Sequence, residues 1–160
     1  EIWTRHGNPA EGEFAFLCGL LHDLGKIVFF KSDSAYYARM FAAEKSETGP
    51  GISALERESF DTDHAAVGAL LAKKWGLPQD LAMVIGDHHV PLESEIPLVR
   101  AVSLADILSK KNEIGYSGDR MIPADLSELL ARLGLGTEEF EQLNTVAEMR
   151  RKEAEAFFRL

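Results

Sequence analysis

Six side chains in this 160-residue chain combine the chemistry to hold a metal ion with a spacing that could bring them together: His22, Asp23, His64, His88, His89 and Asp106. Imidazole and carboxylate together suit Fe, Mn, Zn, Co or Ni better than Ca. His22 and Asp23 lie inside the apolar run FAFLCGLLHDLGKIVFF, residues 14–30, where two adjacent polar groups are costly unless something satisfies them. Each residue alone has a plain explanation. A lone inward His is a hydrogen-bonded core residue, a His-His pair at a helix end complements the helix dipole, and Asp106 can pair with a Lys or Arg. Taken jointly, the plain explanations need a separate buried partner for every imidazole and carboxylate, whereas one shared metal satisfies them together.

The elements that must position these groups are helices, because period-3.6 runs dominate and strand-like alternation is scarce. A helix tail is expected at Ile2 to His6, closed by Gly7-Asn8-Pro9, with His6 exposed and without a role. The next helix is expected from Glu11 to Leu24 with Gly25 as its C-cap, and a third from Ser34 to Lys45. Ser46 to Gly51 reads as a connection. Ser53 is placed as the cap of a short helix to Phe60, with Glu56 in the capping-box position. A helix-turn-helix follows, ended by Gly76 and restarted by Pro78. Ile96 to Lys110 is apolar nearly all round and so central. After a loop from Asn112 to Pro123 come helices at Asp125 to Leu133 and Thr137 to Arg159.

Residues three, four and seven apart share a helix face. His64 falls in register with Val67, Gly68, Leu71 and Trp75, read as an inward stripe. His88 follows Leu81, Val84 and Ile85, with His89 on the adjoining line. Asp106 follows Val99 and Val102, and His22 shares a line with Ala15, Cys18 and Gly19. Four segments therefore aim His or Asp at a common interior.

Composition narrows the function classes. Hydrophobic residues make up 46% of the chain, enough for one globular domain over residues 1–160. The 17 basic and 26 acidic residues give a formal charge of −9, which argues against nucleic acid as a partner. The basic clusters Lys73-Lys74, Lys110-Lys111 and Arg150-Arg151-Lys152 read as solvated helix faces. Cys18 is the single cysteine. It is expected as a buried reduced thiol in a cytoplasmic protein. The apolar run holds His22, Asp23 and Lys26, which excludes it as a membrane span.

The segments "EFAFLCGLLHDLGKIV", "ERESFDTDHAAVGALLAKKWGLPQDLAMVIGDHHVP" and "LVRAVSLADIL" resemble the HDOD subgroup of the HD metal-dependent phosphohydrolase superfamily. The resemblance covers most of Gly12 to Leu108. It implies an all-α fold, a compact multi-helix HD-type bundle around a central His/Asp pocket, in a bacterial signalling protein. By position, His22-Asp23 match the HD pair, His64 the His before the "VG" helix, His88-His89 the later pair and Asp106 the closing Asp. Lys26 matches a lysine that in the related HD-GYP enzymes would touch a substrate phosphate; its plain reading is a lysine snorkelling at a helix end.

Two departures bear on function. The family pattern supplies a further His from a helix well upstream, but only Glu1 to Leu21 precede His22, so upstream helices are expected to be missing. "HHVPLESEIP" stands where a GYP signature would be. The reading is therefore a regulatory HDOD-type domain with a metal-binding pocket and weak or absent turnover. One alternative is a metal-dependent phosphohydrolase acting on a nucleotide or cyclic dinucleotide, with Asp23 and Lys26 as catalytic residues. Another is a metal-free helical interaction module. Residues 137–160 are expected to link to an output domain or partner protein, or to a second copy, through apolar positions that include Phe140, Leu143, Val146, Ala147, Ala154, Phe157, Phe158 and Leu160.

Overall fold

The computed structural model describes residues 9–43, 51–115, 117, 122 and 125–158, and these form nine helices and no strand. They are α1 (Pro9–Leu21), α2 (Leu24–Ser32), α3 (Ser34–Ala43), α4 (Ile52–Phe60), α5 (His64–Lys74), α6 (Gln79–Asp87), α7 (Pro97–Lys111), α8 (Leu126–Arg132) and α9 (Thr137–Phe158). The expected N-terminal helix tail with His6, the connection at 46–50, and the side chains of Ala154, Phe157, Phe158 and Leu160 lie outside the described residues.

Local chemistry sets the helix ends near the site. Asp63 caps α5, its Oδ1 accepting the N–H of Ala66 at 2.9 Å, as an N-cap carboxylate should. Its other oxygen pairs with Arg57. Gly76, at φ +69°, closes α5 by donating to the carbonyl of Lys73 at 3.1 Å, a left-handed position that favours glycine. Pro78 then sets the turn into α6, and Pro97 occupies the first turn of α7, where its missing N–H costs nothing.

Three expectations need correction. The apolar run through residues 14–30 is not one helix to Leu24: it breaks at His22-Asp23, and Gly25 lies in the first turn of α2 rather than at a C-cap. Ser53 does not cap α4; Gly51 is the N-cap, and Ser53 is buried inside the helix with its hydroxyl unpartnered. The inward face of α5 runs through His64, Ala65, Gly68 and Ala72, while Trp75, just past the helix end, is 60% exposed.

Packing is organised around α7, in which every residue from 98 to 104 is buried. On one side, Cys18 of α1, Ala72 of α5 and Leu81, Val84 and Ile85 of α6 close over Val99 and Val102. Toward the C-terminus, Leu104, Ile107 and Leu108 pack with Leu129 of α8 and Phe140 and Leu143 of α9. A third cluster joins Phe29, Tyr37, Met40 and Ile52 from α2, α3 and α4.

The closest approach between helices is at α2 and α5. A methyl group on Gly25 would sit 1.9 Å from the carbonyl oxygen of His64, and one on Gly68 would sit 3.0 Å from the Gly25 nitrogen. Only two glycines let these backbones touch. That contact places the turn bearing Asp23 directly against the start of α5, where His64 stands.

Candidate metal centre

The break between α1 and α2 lets consecutive residues serve one pocket, because a turn can aim neighbours together where a helix would splay them. From this turn, Asp23 Oδ1 lies 3.3 Å from His64 Nε2 and 3.8 Å from His88 Nε2, and Asp23 Oδ2 lies 3.5 Å from His22 Nε2. His89 brings its Nε2 to 2.9 Å from His64 Nε2. Among the described residues, two overlapping sets, His64 with His88 and His89, and His22 with Asp23 and His88, each have their ligand atoms within 4.8 Å of one another. Asp106 stands at the edge, its Oδ1 4.0 Å from His22 Nε2 and its Oδ2 2.7 Å from Lys110 Nζ. Five of the six candidate ligands fall into these two sets, joined by His88, and Asp106 flanks the second through His22.

The hydrogen bonds on the outer ring nitrogens fix which way these imidazoles face. His22 Nδ1 lies 2.7 Å from the carbonyl oxygen of Gly19, and His88 Nδ1 lies 2.8 Å from that of Ile85. A carbonyl only accepts, so each Nδ1 carries the proton and donates. His64 Nδ1 likewise donates to Glu56 Oε2 at 2.6 Å. Three rings thus have their outer nitrogen tied off and turn Nε2 to the centre. Ser103 of α7 bonds the carbonyl of His88 at 2.6 Å, attaching the end of α6 to the central helix.

Two buried polar atoms here, Asp23 Oδ1 and His88 Nε2, have no hydrogen-bond partner. Buried polar atoms are nearly always satisfied, and a carboxylate oxygen facing an imidazole lone pair is a donor set that a divalent transition ion completes. The residues present therefore fit a metal: His22, Asp23, His64 and His88 in the middle, with His89 and Asp106 flanking.

The electrostatics of His88 and His89 agree with this arrangement. Burial lowers His88 to about 4, helped by the neighbouring His22. Burial, with His88 and His64 alongside, drives His89 far below the usual imidazole range. Both are neutral at physiological pH, as metal ligation requires. Burial alone would raise Asp23, but His64, Lys26 and His22 outweigh it and hold the carboxyl well below its ordinary value. Burial would lower His64, yet Asp23 and Glu56 lift it.

Two lysines complete the surroundings. Lys26 Nζ is 2.6 Å from Asp23 Oδ2 and 2.7 Å from the Ser117 carbonyl. It is an inward ion-pair partner, not a snorkelling surface lysine. Lys110, expected on a solvated face, is 9% exposed and engaged with Asp106.

A family model for the HDOD domain matches residues 1–91. The chain belongs to the HDOD domain family. The chain is 33% identical over 99 residues to an uncharacterized protein of Treponema pallidum (strain Nichols), covering 58% of this chain and 18% of that relative. A crystal structure of a protein designated a phosphohydrolase, from Shewanella amazonensis SB2B, superposes with a TM-score of 0.59 at 25% identity, over 84% of this chain and 52% of that one. The chain thus spans about a fifth of the one protein and about half of the other. The fold is that of an HD-type phosphohydrolase, all-helical as the sequence resemblance implied.

Sequence reasoning missed Glu56, which is fully buried and bonded to His64, and Tyr37, whose hydroxyl donates to Glu56 Oε1 at 2.5 Å. Glu56 is positioned three residues after Ser53, so a capping box accounted for it completely. The absent signal was an apolar environment around a carboxylate, which a short polar segment does not advertise. Among the described residues, no helix is long and apolar enough to cross a membrane.

Proposed function

We propose that this HDOD domain is a regulatory signal-transduction module whose His/Asp pocket binds a divalent transition metal (Fe, Mn, Zn, Co or Ni). The observation that carries the metal is the set of three imidazoles with Nδ1 tied to Gly19, Glu56 and Ile85, all presenting Nε2 beside the unpartnered Asp23 Oδ1. Regulation is favoured over turnover by the state of the two pocket lysines. Lys26 and Lys110 are each bound to a candidate ligand carboxylate, so neither presents a free cation to an incoming phosphate.

In this reading the domain acts by what it binds and by what it contacts. A nucleotide or another small ligand reaching the pocket would change the packing of α7 on α6, which Ser103 and His88 link. α7 also packs on α9 through Leu104, Leu108, Phe140 and Leu143. An output domain, a partner protein or a second copy of the chain at the end of α9 would receive that change. Such a relay needs two states that differ in affinity for the partner. A bacterial cytoplasmic setting suits it.

The second reading is a metal-dependent phosphohydrolase, favoured by the likeness to the Shewanella amazonensis protein. A bound ion would supply Lewis acidity toward a phosphoryl oxygen. Asp23 would help hold that ion, and Lys26, released from it, would offset charge developing on the phosphate.

Elemental analysis of untagged protein tests the first part, and His22→Ala plus Asp23→Ala should abolish metal content while leaving the helical signal intact. Wild-type protein that carries no metal and gains no thermal stability with Mn, Fe, Co, Ni or Zn would overturn it, since a ligand at ~100 times its Kd adds about 2.7 kcal/mol. Metal-loaded protein should turn over neither cyclic dinucleotides, nucleotides nor an aryl phosphodiester. Turnover that vanishes in Asp23→Ala would replace the regulatory reading with the enzymatic one.

A further inference from the structure

Behind the ligand set lies a second buried assembly, made from helices that supply none of the six ligands except His64. Glu56, on α4, has no exposed surface, and nor does His64. Its Oε2 accepts two bonds from His64, from Nδ1 at 2.6 Å and from the backbone N–H at 2.8 Å. Its Oε1 accepts the hydroxyl of Tyr37, from α3, at 2.5 Å. A carboxylate so deeply buried is costly unless its oxygens are satisfied, and three donors converge on it here.

The backbone bond has a plain structural use. His64 is the first residue of α5, and its N–H is one of the donors that a helix leaves unpaired at its start. The side-chain bond has a different consequence. A carboxylate cannot donate, so the ring nitrogen facing it must carry the proton and the opposite nitrogen must face the pocket. Hydrogen bonding of this kind orients metal-bound imidazoles and raises their basicity.

We infer that Glu56 is the positioning residue of the pocket: anchored by Tyr37, it holds His64 with Nδ1 protonated and Nε2 aimed at the centre. Through this chain, α3 and α4 set the geometry of a ligand carried by α5. The inference rests on the metal reading for its purpose, but the tautomer of His64 can be measured without metal.

Two measurements test it. Long-range nitrogen–proton correlation spectra of metal-free wild-type protein should show His64 Nδ1 protonated on both sides of the ring's titration. His64 Nδ1 should lose that signature in Glu56→Leu, which removes the acceptor altogether and leaves Asp23 Oδ1, 3.3 Å from Nε2, to draw the proton to the other nitrogen. Co(II) titration should then show affinity reduced ~10–100-fold in Glu56→Leu, and reduced less in Tyr37→Phe, with helical content retained in both. A role confined to capping α5 would lower stability without moving the tautomer or the Co(II) affinity, and that result overturns the inference. If Glu56→Leu fails to fold, the wild-type spectrum and Tyr37→Phe decide: an unprotonated Nδ1 in folded wild type, or unchanged Co(II) affinity in Tyr37→Phe, overturns it. Wild-type protein that binds no Co(II) but has the expected tautomer would sink the metal reading and leave the positioning by Glu56 standing.

Discussion

Two faces of α7 bury opposite kinds of chemistry. On one face, Leu104, Ile107 and Leu108 meet Leu129, Leu135, Phe140 and Leu143 in an apolar cluster. On the pocket side, the chain gathers His64, His88, Glu56 and Ser103 in full burial, with His22, Asp23 and Asp106 beside them. The first arrangement is what hydrophobic burial produces by itself. The second runs against it: polar groups are desolvated, and two atoms remain without a partner. A chain selected for stability alone would fill the second region as it fills the first. The difference identifies where stability has been given up for another purpose.

Gly25→Ala is the most severe way to break that contrast, because it strikes both properties. The added methyl would overlap the His64 carbonyl at 1.9 Å and approach the Gly68 nitrogen at 2.8 Å, both backbone atoms that cannot rotate away. A loss at or beyond the ~3 kcal/mol upper range for overpacking is expected, together with loss of metal binding. Chemical denaturation and metal titration check it; near-wild-type behaviour in both would refute the close helix contact.

Leu129→Ala separates the two regions. Leu129 is 2% exposed in the apolar cluster, so truncation should cost ~2–5 kcal/mol and lower Tm by roughly 3 °C per kcal/mol. Metal affinity should stay at the wild-type level. A parallel fall in affinity would mean that the two regions are not independent.

Cys18 provides the smallest test, of the apolar layer just beneath the pocket. Burial, with the charge of Asp80 in second place, pushes this thiol up to about 11. Because the raised value favours the neutral thiol, a disulfide reagent at neutral pH should react on the order of 10²-fold or more slowly than with a free cysteine. Denaturant should remove the difference. Rapid labelling of native protein would show that this layer opens.

The inward placement of His88 and Asp106 was legible because helix periodicity is strict. Leu81, Val84 and Ile85 are buried, so His88, one turn on, could only point inward; Val99 and Val102 did the same for Asp106. The break at His22-Asp23 was not legible, since an apolar run with good helix formers on both sides gives no local reason to stop. It is the contact of Gly25 with α5, far along the sequence, that makes the break worthwhile. Trp75 was misplaced because a stripe extrapolated to a helix end drifts off the core. Lys110 was misread because a lysine pair resembles a solvated face until its carboxylate partner, four residues earlier on the same helix, is known to be inward.

The touching backbones at Gly25 and Gly68 also decide how the pocket can deform. With no side chain between them, there is no rotamer whose change could widen the gap, so α2 and α5 form one fixed jaw carrying Asp23 and His64. Gly68 also faces Ile85, whose Cγ2 would lie 2.7 Å from a methyl placed there, so α6 is clamped to the same jaw. Asp106 sits on the other jaw, α7. The joint where the bore can change is therefore α7 against α6, and the Ser103 hydroxyl is its latch: its single proton has the His88 carbonyl at 2.6 Å across the joint and the Val99 carbonyl at 2.9 Å within α7 to choose between.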